Sequence, residues 1–110
     1  MKKFALVYYG GTKAEDIKEE DADAIMAAWM AWYKELGDAV VDGGNPFASN
    51  GKKVETSGVS NIAVEEWPAK GYTIVQAESI DDAVKFAQSN PMMSEGSDDV
   101  QVRVYECLPM

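Results

Sequence analysis

Two side chains in this sequence combine a reactive type with a setting that suits chemistry. Asp42 ends the run Ala39-Val40-Val41 and precedes Gly43-Gly44, while Arg103 is the only arginine and interrupts an apolar run. A carboxylate facing a cleft between two sheets has its pKa raised by desolvation, which fits it for general acid–base work. The alternative is an aspartate that supports a glycine turn through its own backbone. Arg103 either binds a substrate carboxylate bidentately or pairs across strands or across a dimer, with Glu78 or Glu106 as partners. These two are the candidate catalytic residues. Tyr9, Trp29, Trp32 and Asn45 are the candidate ligand-binding residues. The three aromatics, with Tyr8, would line a mostly apolar pocket, or else form core. Asn45 would hold a ligand carbonyl, or else initiate a turn before Pro46.

What is missing narrows the chemistry further. The chain has no histidine and one cysteine, Cys107. That excludes Ser-His-Asp and Cys-His catalysis and structural zinc sites, and it leaves Cys107 without a base to activate it. An acidic Mg²⁺ or Ca²⁺ site is open in principle, but no segment has EF-hand ligand spacing, so no metal is expected. The pairs Gly10-Gly11 and Gly43-Gly44 match neither a dinucleotide fingerprint nor a phosphate-binding loop. No cofactor is expected either.

At 110 residues the chain is read as a single domain, 1–110, with 46% hydrophobic and 26% charged residues, the balance of a globular protein. A net charge of −9 argues against nucleic-acid binding and against attachment to anionic membranes. No apolar run approaches the roughly 18 residues that span a bilayer. The start MKKFALVYYGG alternates and lacks a small-residue cleavage site, so it reads as a strand and not as a signal peptide. With one cysteine and no leader, the expected location is cytoplasmic.

The elements that must position these residues follow from periodicity. Lys3 to Tyr9 alternates, with Phe4, Leu6 and Tyr8 on one face and Ala5, Val7 and Tyr9 on the other, both apolar. After the polar stretch Thr12 to Glu20 a helix runs to Gly37, its acidic cluster Glu19, Glu20, Asp21 and Asp23 suiting the positive N-terminal end. Trp32, Ile25, Leu36, Trp29, Tyr33, Met26 and Met30 cover an arc of about 160° on that helix, wider than the usual stripe of about 100°. The central stripe is expected to face the sheet, and Met26, Met30 and Tyr33 to meet the second helix or the 48–70 segment. Ala39–Val41 is a short strand. Asn50-Gly51 reads as a turn between extended segments Phe47–Ser49 and Lys52–Glu55, and Ser57 to Lys70 as an irregular excursion in which Trp67-Pro68 is a local anchor. Tyr72 to Glu78 is a strand, Ser79 caps a second helix that ends at Asn90-Pro91, and Val100 to Leu108 is the last strand.

The order β-α-β-(hairpin or loop)-β-α-β predicts an α+β, ferredoxin-like sandwich with both helices on one face of an antiparallel sheet. Two helices cover only one face, so the outer face is expected to be buried in a homodimer through the sheet faces. With that layout, the runs AAWMAWYKELGDAVVDGGNPF (Ala27–Phe47), GYTIVQAESIDDAVKFAQSNP (Gly71–Pro91) and VQVRVYE (Val100–Glu106) resemble the YCII-related family of small bacterial proteins. Asp42 and Asn45 fall within the first of these runs. The resemblance implies a dimeric α/β barrel and little about activity. Better-studied members carry a His/Asp pair suggested to be catalytic, which this histidine-free chain lacks, and the DGPF motif of another branch is absent between Ser57 and Gly71. Two functions follow as expectations. One is a homodimeric small-molecule-binding or regulatory module. The other is a cofactor-free enzyme that uses Asp42, assisted by Arg103 or Tyr9, on a small organic substrate, aromatic ones included.

Overall fold

Strand β1, Lys2–Tyr9, is the centre of the architecture. Its alternation sends Phe4, Leu6 and Tyr8 into the core and leaves Ala5, Val7 and Tyr9 half-buried on the opposite face, as a period of two requires. The computed structural model describes residues 1–11, 16–94 and 99–110. Thr12–Glu15, the first part of the polar stretch before the helix, lie outside the described residues.

The remaining elements are α1 (Glu19–Leu36), β2 (Val40–Asp42), β3 (Lys52–Glu55), β4 (Gly58–Asn61), β5 (Ala69–Ala77), α2 (Ile80–Gln88) and β6 (Gln101–Cys107). β1 is paired antiparallel with β5 on one side and β6 on the other, and β2 completes the order β2-β5-β1-β6. An α+β layout with two helices and an antiparallel sheet in this order is compatible with a ferredoxin-like fold.

Both helices lie on the face that carries Phe4, Leu6 and Tyr8. The core joins those residues to Trp32 of α1, Val75 and Ala77 of β5, and Ala83 and Ala87 of α2. Side-chain size decides how each helix sits. Ala83 and Ala87 let α2 approach the strands closely, whereas α1 stands off on Trp29, Trp32 and Tyr33. The caps follow local chemistry. Ser79 Oγ accepts the Asp82 N–H at 3.3 Å to start α2, and Gly37, at φ 56°, ends α1 with its N–H on the Tyr33 carbonyl, a conformation that glycine adopts freely. Among the described residues no helix is long and apolar enough to cross a membrane.

Three expectations need correction. Met26 and Met30 are not buried against the second helix or the 48–70 segment but are 62% and 57% exposed, because the apolar arc of α1 is wider than the surface beneath it, while Tyr33 bonds the Gly43 carbonyl. Asn50-Gly51 is not the hairpin turn either. The hairpin joins β3 to β4 through Thr56-Ser57, in the register Val54↔Val59 and Glu55↔Gly58. Phe47 is drawn elsewhere: its N–H donates to the Lys70 carbonyl at 2.8 Å, Pro46 bridges Gly71, and its ring stacks on Tyr72 at 5.7 Å. Tertiary pairing with β5 therefore outcompetes the local turn signal. The supposed irregular excursion contains β4, a 3-10 turn at Val64–Glu66 and the first residues of β5.

The outer face of the sheet is, among the described residues, covered by neither α1 nor α2. It carries Ala5, Val7, Tyr9, Tyr72, Ile74 and Gln76, all half-buried, together with exposed Arg103 and Tyr105 on β6.

Candidate functional site

Polar chemistry concentrates in two places, one on each face of the sheet. On the inner face, Tyr8 reaches the core from β1 and donates its hydroxyl to Thr73 Oγ1 at 2.6 Å. Thr73, fully buried on β5, donates in turn to the Gly43 carbonyl at 3.1 Å. Tyr33 donates to the same carbonyl at 2.9 Å, and Asn90 Nδ2 donates to the Tyr8 oxygen at 3.2 Å. Asn90 Oδ1 accepts the Met92 N–H at 2.9 Å. Every buried side-chain polar atom among the described residues is matched.

Burial pushes the Tyr8 phenol well above its ordinary range, against the opposing hydrogen bond to Thr73; Tyr33 nearby adds to the rise and the Asn90 contact reduces it. Tyr33 is raised as well, first by burial, with the Asp42 charge adding and Thr73 opposing. Both phenols therefore stay protonated at neutral pH, as hydrogen-bond donors and not bases. The network pins the Asp42-Gly43-Gly44 turn to the core, which is a structural task.

Beside it, Trp29 meets the Tyr8 ring edge-on at 5.4 Å. Trp29 also lines a shallow cleft of about 200 Å³ with Ala24, Ile25, Ala28, Pro91 and Ser94. Trp32, 2% exposed, is core, and its Nε1–H is shared between the Phe86 carbonyl at 3.3 Å and Ser89 Oγ at 3.1 Å.

On the outer face three flat groups gather at one end of β1. The Arg103 guanidinium lies 4.2 Å from the centre of the Tyr9 ring and 5.6 Å from that of Trp67. Tyr9 and Trp67 stack at 5.8 Å with their planes 13° apart. The sheet accounts for the first two positions: Tyr9 is opposite Gln101, and Arg103 is opposite Val7 one step further along. Arg103 Nε donates to Gln101 Oε1 at 2.7 Å. Neither Glu78 nor Glu106 pairs with it, since Glu106 is drawn to Lys2 at 3.9 Å. Among the described residues no carboxylate forms an ion pair with Arg103, in a chain with 19 acidic side chains.

Trp67 arrives from off the sheet. It ends the Val64–Glu66 turn in the left-handed region, φ 56° and ψ 71°, the only non-glycine with positive φ among the described residues. That conformation costs a bulky residue about 1–2 kcal/mol, and the following Pro68 biases its neighbour further toward extended backbone. The turn is held by Lys53 of β3, paired with Glu66 at 2.6 Å; that contact, with the bond from the Ala63 N–H, holds the Glu66 carboxyl below its usual range. Strain of this kind persists where surrounding contacts over-determine it, and it concentrates at ligand sites.

The sequence candidates therefore separate. Tyr9 and Arg103 come together on the outer face. Asp42 stands on β2, the opposite edge strand, roughly 14 Å away across the sheet and two residues out of row with Arg103. Its Oδ1 accepts the Gly44 N–H at 2.8 Å, the turn-supporting arrangement, and its Oδ2 lies 3.5 Å from the Tyr72 hydroxyl. Asn45 is exposed beside the Pro46–Gly71 bridge. Trp29 and Trp32 belong to the inner face. The sequence marks Trp67 only as a local anchor and Asn90 only as a helix end, and it marks neither Gln101 nor Thr73 as a site residue. A threonine at an inward position of β5 was a legible sign of a buried hydrogen bond, but nothing local marks Trp67 as the neighbour of Tyr9. No protein-family model matches the chain, and no curated protein is detectably similar to it.

Proposed function

We propose that the protein is a YCII-related homodimeric small-molecule-binding module, in which two sheets pack outer face to outer face and a ligand is held between them. The observation that carries this reading is the outer row of β1. An antiparallel sheet with one solvated face alternates apolar with polar residues, yet β1 places Ala5, Val7 and Tyr9 outward, flanked by Tyr72 and Ile74 on β5 and by Tyr105, 50% exposed, on β6. An apolar patch rimmed by polar groups is the usual mark of an interaction surface. Arg103, Gln101 and Asp42 supply that rim. A cofactor-free acid–base enzyme fits less well, because Asp42 spends one oxygen on the Gly44 N–H and stands far from Arg103.

Light scattering at micromolar concentration tests the reading. The expected mass is twice 12.0 kDa, falling to the monomer in Val7→Asp while far-UV circular dichroism is kept. A monomeric parent protein refutes it.

A further inference from the structure

We infer that Tyr9, Trp67 and Arg103 form a binding site for a flat aromatic monocarboxylate; this rests on the small-molecule-binding reading above and names its ligand class. Three independent features converge. The first is unspent hydrogen-bonding capacity. A guanidinium offers five N–H donors in a fixed fork, and the one bond it makes among the described residues is Nε to Gln101. Its Cζ already lies over the Tyr9 ring, 4.2 Å from the centre, and the fork's remaining N–H groups match the two oxygens of a carboxylate.

The second is the backbone at Trp67. A tryptophan held left-handed before a proline exchanges local comfort for the position of its ring, parallel to Tyr9 at 5.8 Å. Such a platform accepts a further flat ring by offset stacking. Next to it Tyr72, Val7 and Arg103 lie in one row across three strands, so a ring whose carboxylate sits on Arg103 has an apolar floor beneath it.

The third is overall charge. A net charge of −9 repels a dianion or phosphate more than it repels a monoanion, while a single arginine compensates only one negative charge. The ligand class is therefore a carboxylate with one charge and a flat, apolar body. The Lys53–Glu66 pair fixes the turn from which Trp67 projects, which makes both of them positioning residues.

Sodium benzoate is the probe, titrated by calorimetry and followed in parallel by ¹H–¹⁵N shifts of the full chain. A ligand of about nine heavy atoms binds a formed site at about 1 mM or tighter. Expected are saturable binding, shifts centred on Tyr9, Trp67 and the Arg103 Nε–H, at least tenfold weaker binding of uncharged benzamide and of phthalate dianion, and at least tenfold loss in Arg103→Gln. Arg103→Lys keeps the charge without the fork and should bind several-fold more weakly than the parent. Trp67→Gly should weaken benzoate binding without lowering Tm, because glycine relieves the backbone strain; a purely structural tryptophan would lower Tm and leave affinity unchanged.

Equal affinity for benzamide, shifts elsewhere, or no saturation with benzoate overturns the assignment. Light scattering on the same samples keeps the two readings apart. A dimer indifferent to benzoate overturns this site alone. A monomer that binds benzoate through Arg103 supports the site and overturns the dimer.

Discussion

Replacing Thr73 with valine tests the inner network most directly, because the change is nearly isosteric and removes one oxygen. Thr73 is fully buried. It accepts from Tyr8 at 2.6 Å and donates to the Gly43 carbonyl at 3.1 Å. The two losses are unequal. Gly43 keeps its second donor, Tyr33, at 2.9 Å, so no carbonyl is orphaned. The Tyr8 hydroxyl proton does lose its acceptor in a dry site, which costs about 1–3 kcal/mol. The added methyl returns somewhat less than about 0.8 kcal/mol. The net expectation is a destabilisation of about 1–2 kcal/mol, or a Tm lower by about 5–8 °C for a chain of this size. Urea unfolding at pH 7, followed by tryptophan fluorescence at one fixed protein concentration, measures it. The concentration is fixed because dimerisation would contribute to apparent stability. The m-value should not change. Tyr8→Phe alone and combined with Thr73→Val completes a cycle whose coupling should be about 1 kcal/mol. A loss below about 0.5 kcal/mol, or strict additivity, would show that the hydroxyls do not support each other as described.

Two further outcomes follow from the same geometry. Because Tyr8 and Tyr33 have raised pKa values when folded, the folded state holds their protons more tightly than the unfolded chain. Their contribution is complete below the unfolded tyrosine value of about 10 and declines as pH rises beyond it toward the folded values. Alkaline denaturation, read with phenolate absorbance, should therefore steepen above about pH 10, and Tyr8→Phe should flatten it; identical profiles would count against the burial assigned to Tyr8. The second outcome compares two glycines. Gly44→Ala places a Cβ 1.7 Å from the Tyr72 carbonyl at φ +74°, whereas Gly37→Ala meets nothing within 4 Å at φ +56°. Losses of about 3 kcal/mol or more and about 1 kcal/mol are expected, and equal urea midpoints would contradict the close approach of the turn to β5.

How far the chain is legible depends on whether a residue's role is written in its neighbours. The two-residue period of Phe4 to Tyr9 assigns a face to each side chain, and β1 keeps that assignment from Phe4 to Tyr9. Ser79 and Gly37 announced helix ends for reasons confined to one turn of backbone. The wide apolar arc of α1 was equally visible, but not its consequence: Trp29, Trp32 and Tyr33 found the sheet while Met26 and Met30 did not, since arc width says nothing of how much surface lies beneath. At Asn50-Gly51 a sound local signal lost to the pairing of Pro46 and Phe47 with β5, which no window of ten residues contains.

The candidate site divides along the same line. Composition alone removed histidine chemistry, set the charge that disfavours nucleic acid and polyanions, and marked Arg103 as singular. Side-chain direction along a strand is local, so Tyr9 and Arg103 could each be placed on a face. Their meeting depends on strand register, the separation of Asp42 from Arg103 on strand order, and the arrival of Trp67 on a left-handed residue 58 positions along the chain from Tyr9. Those are long-range facts. They arise from the collective packing of β1, β5 and β6, and only the tertiary structure could decide them.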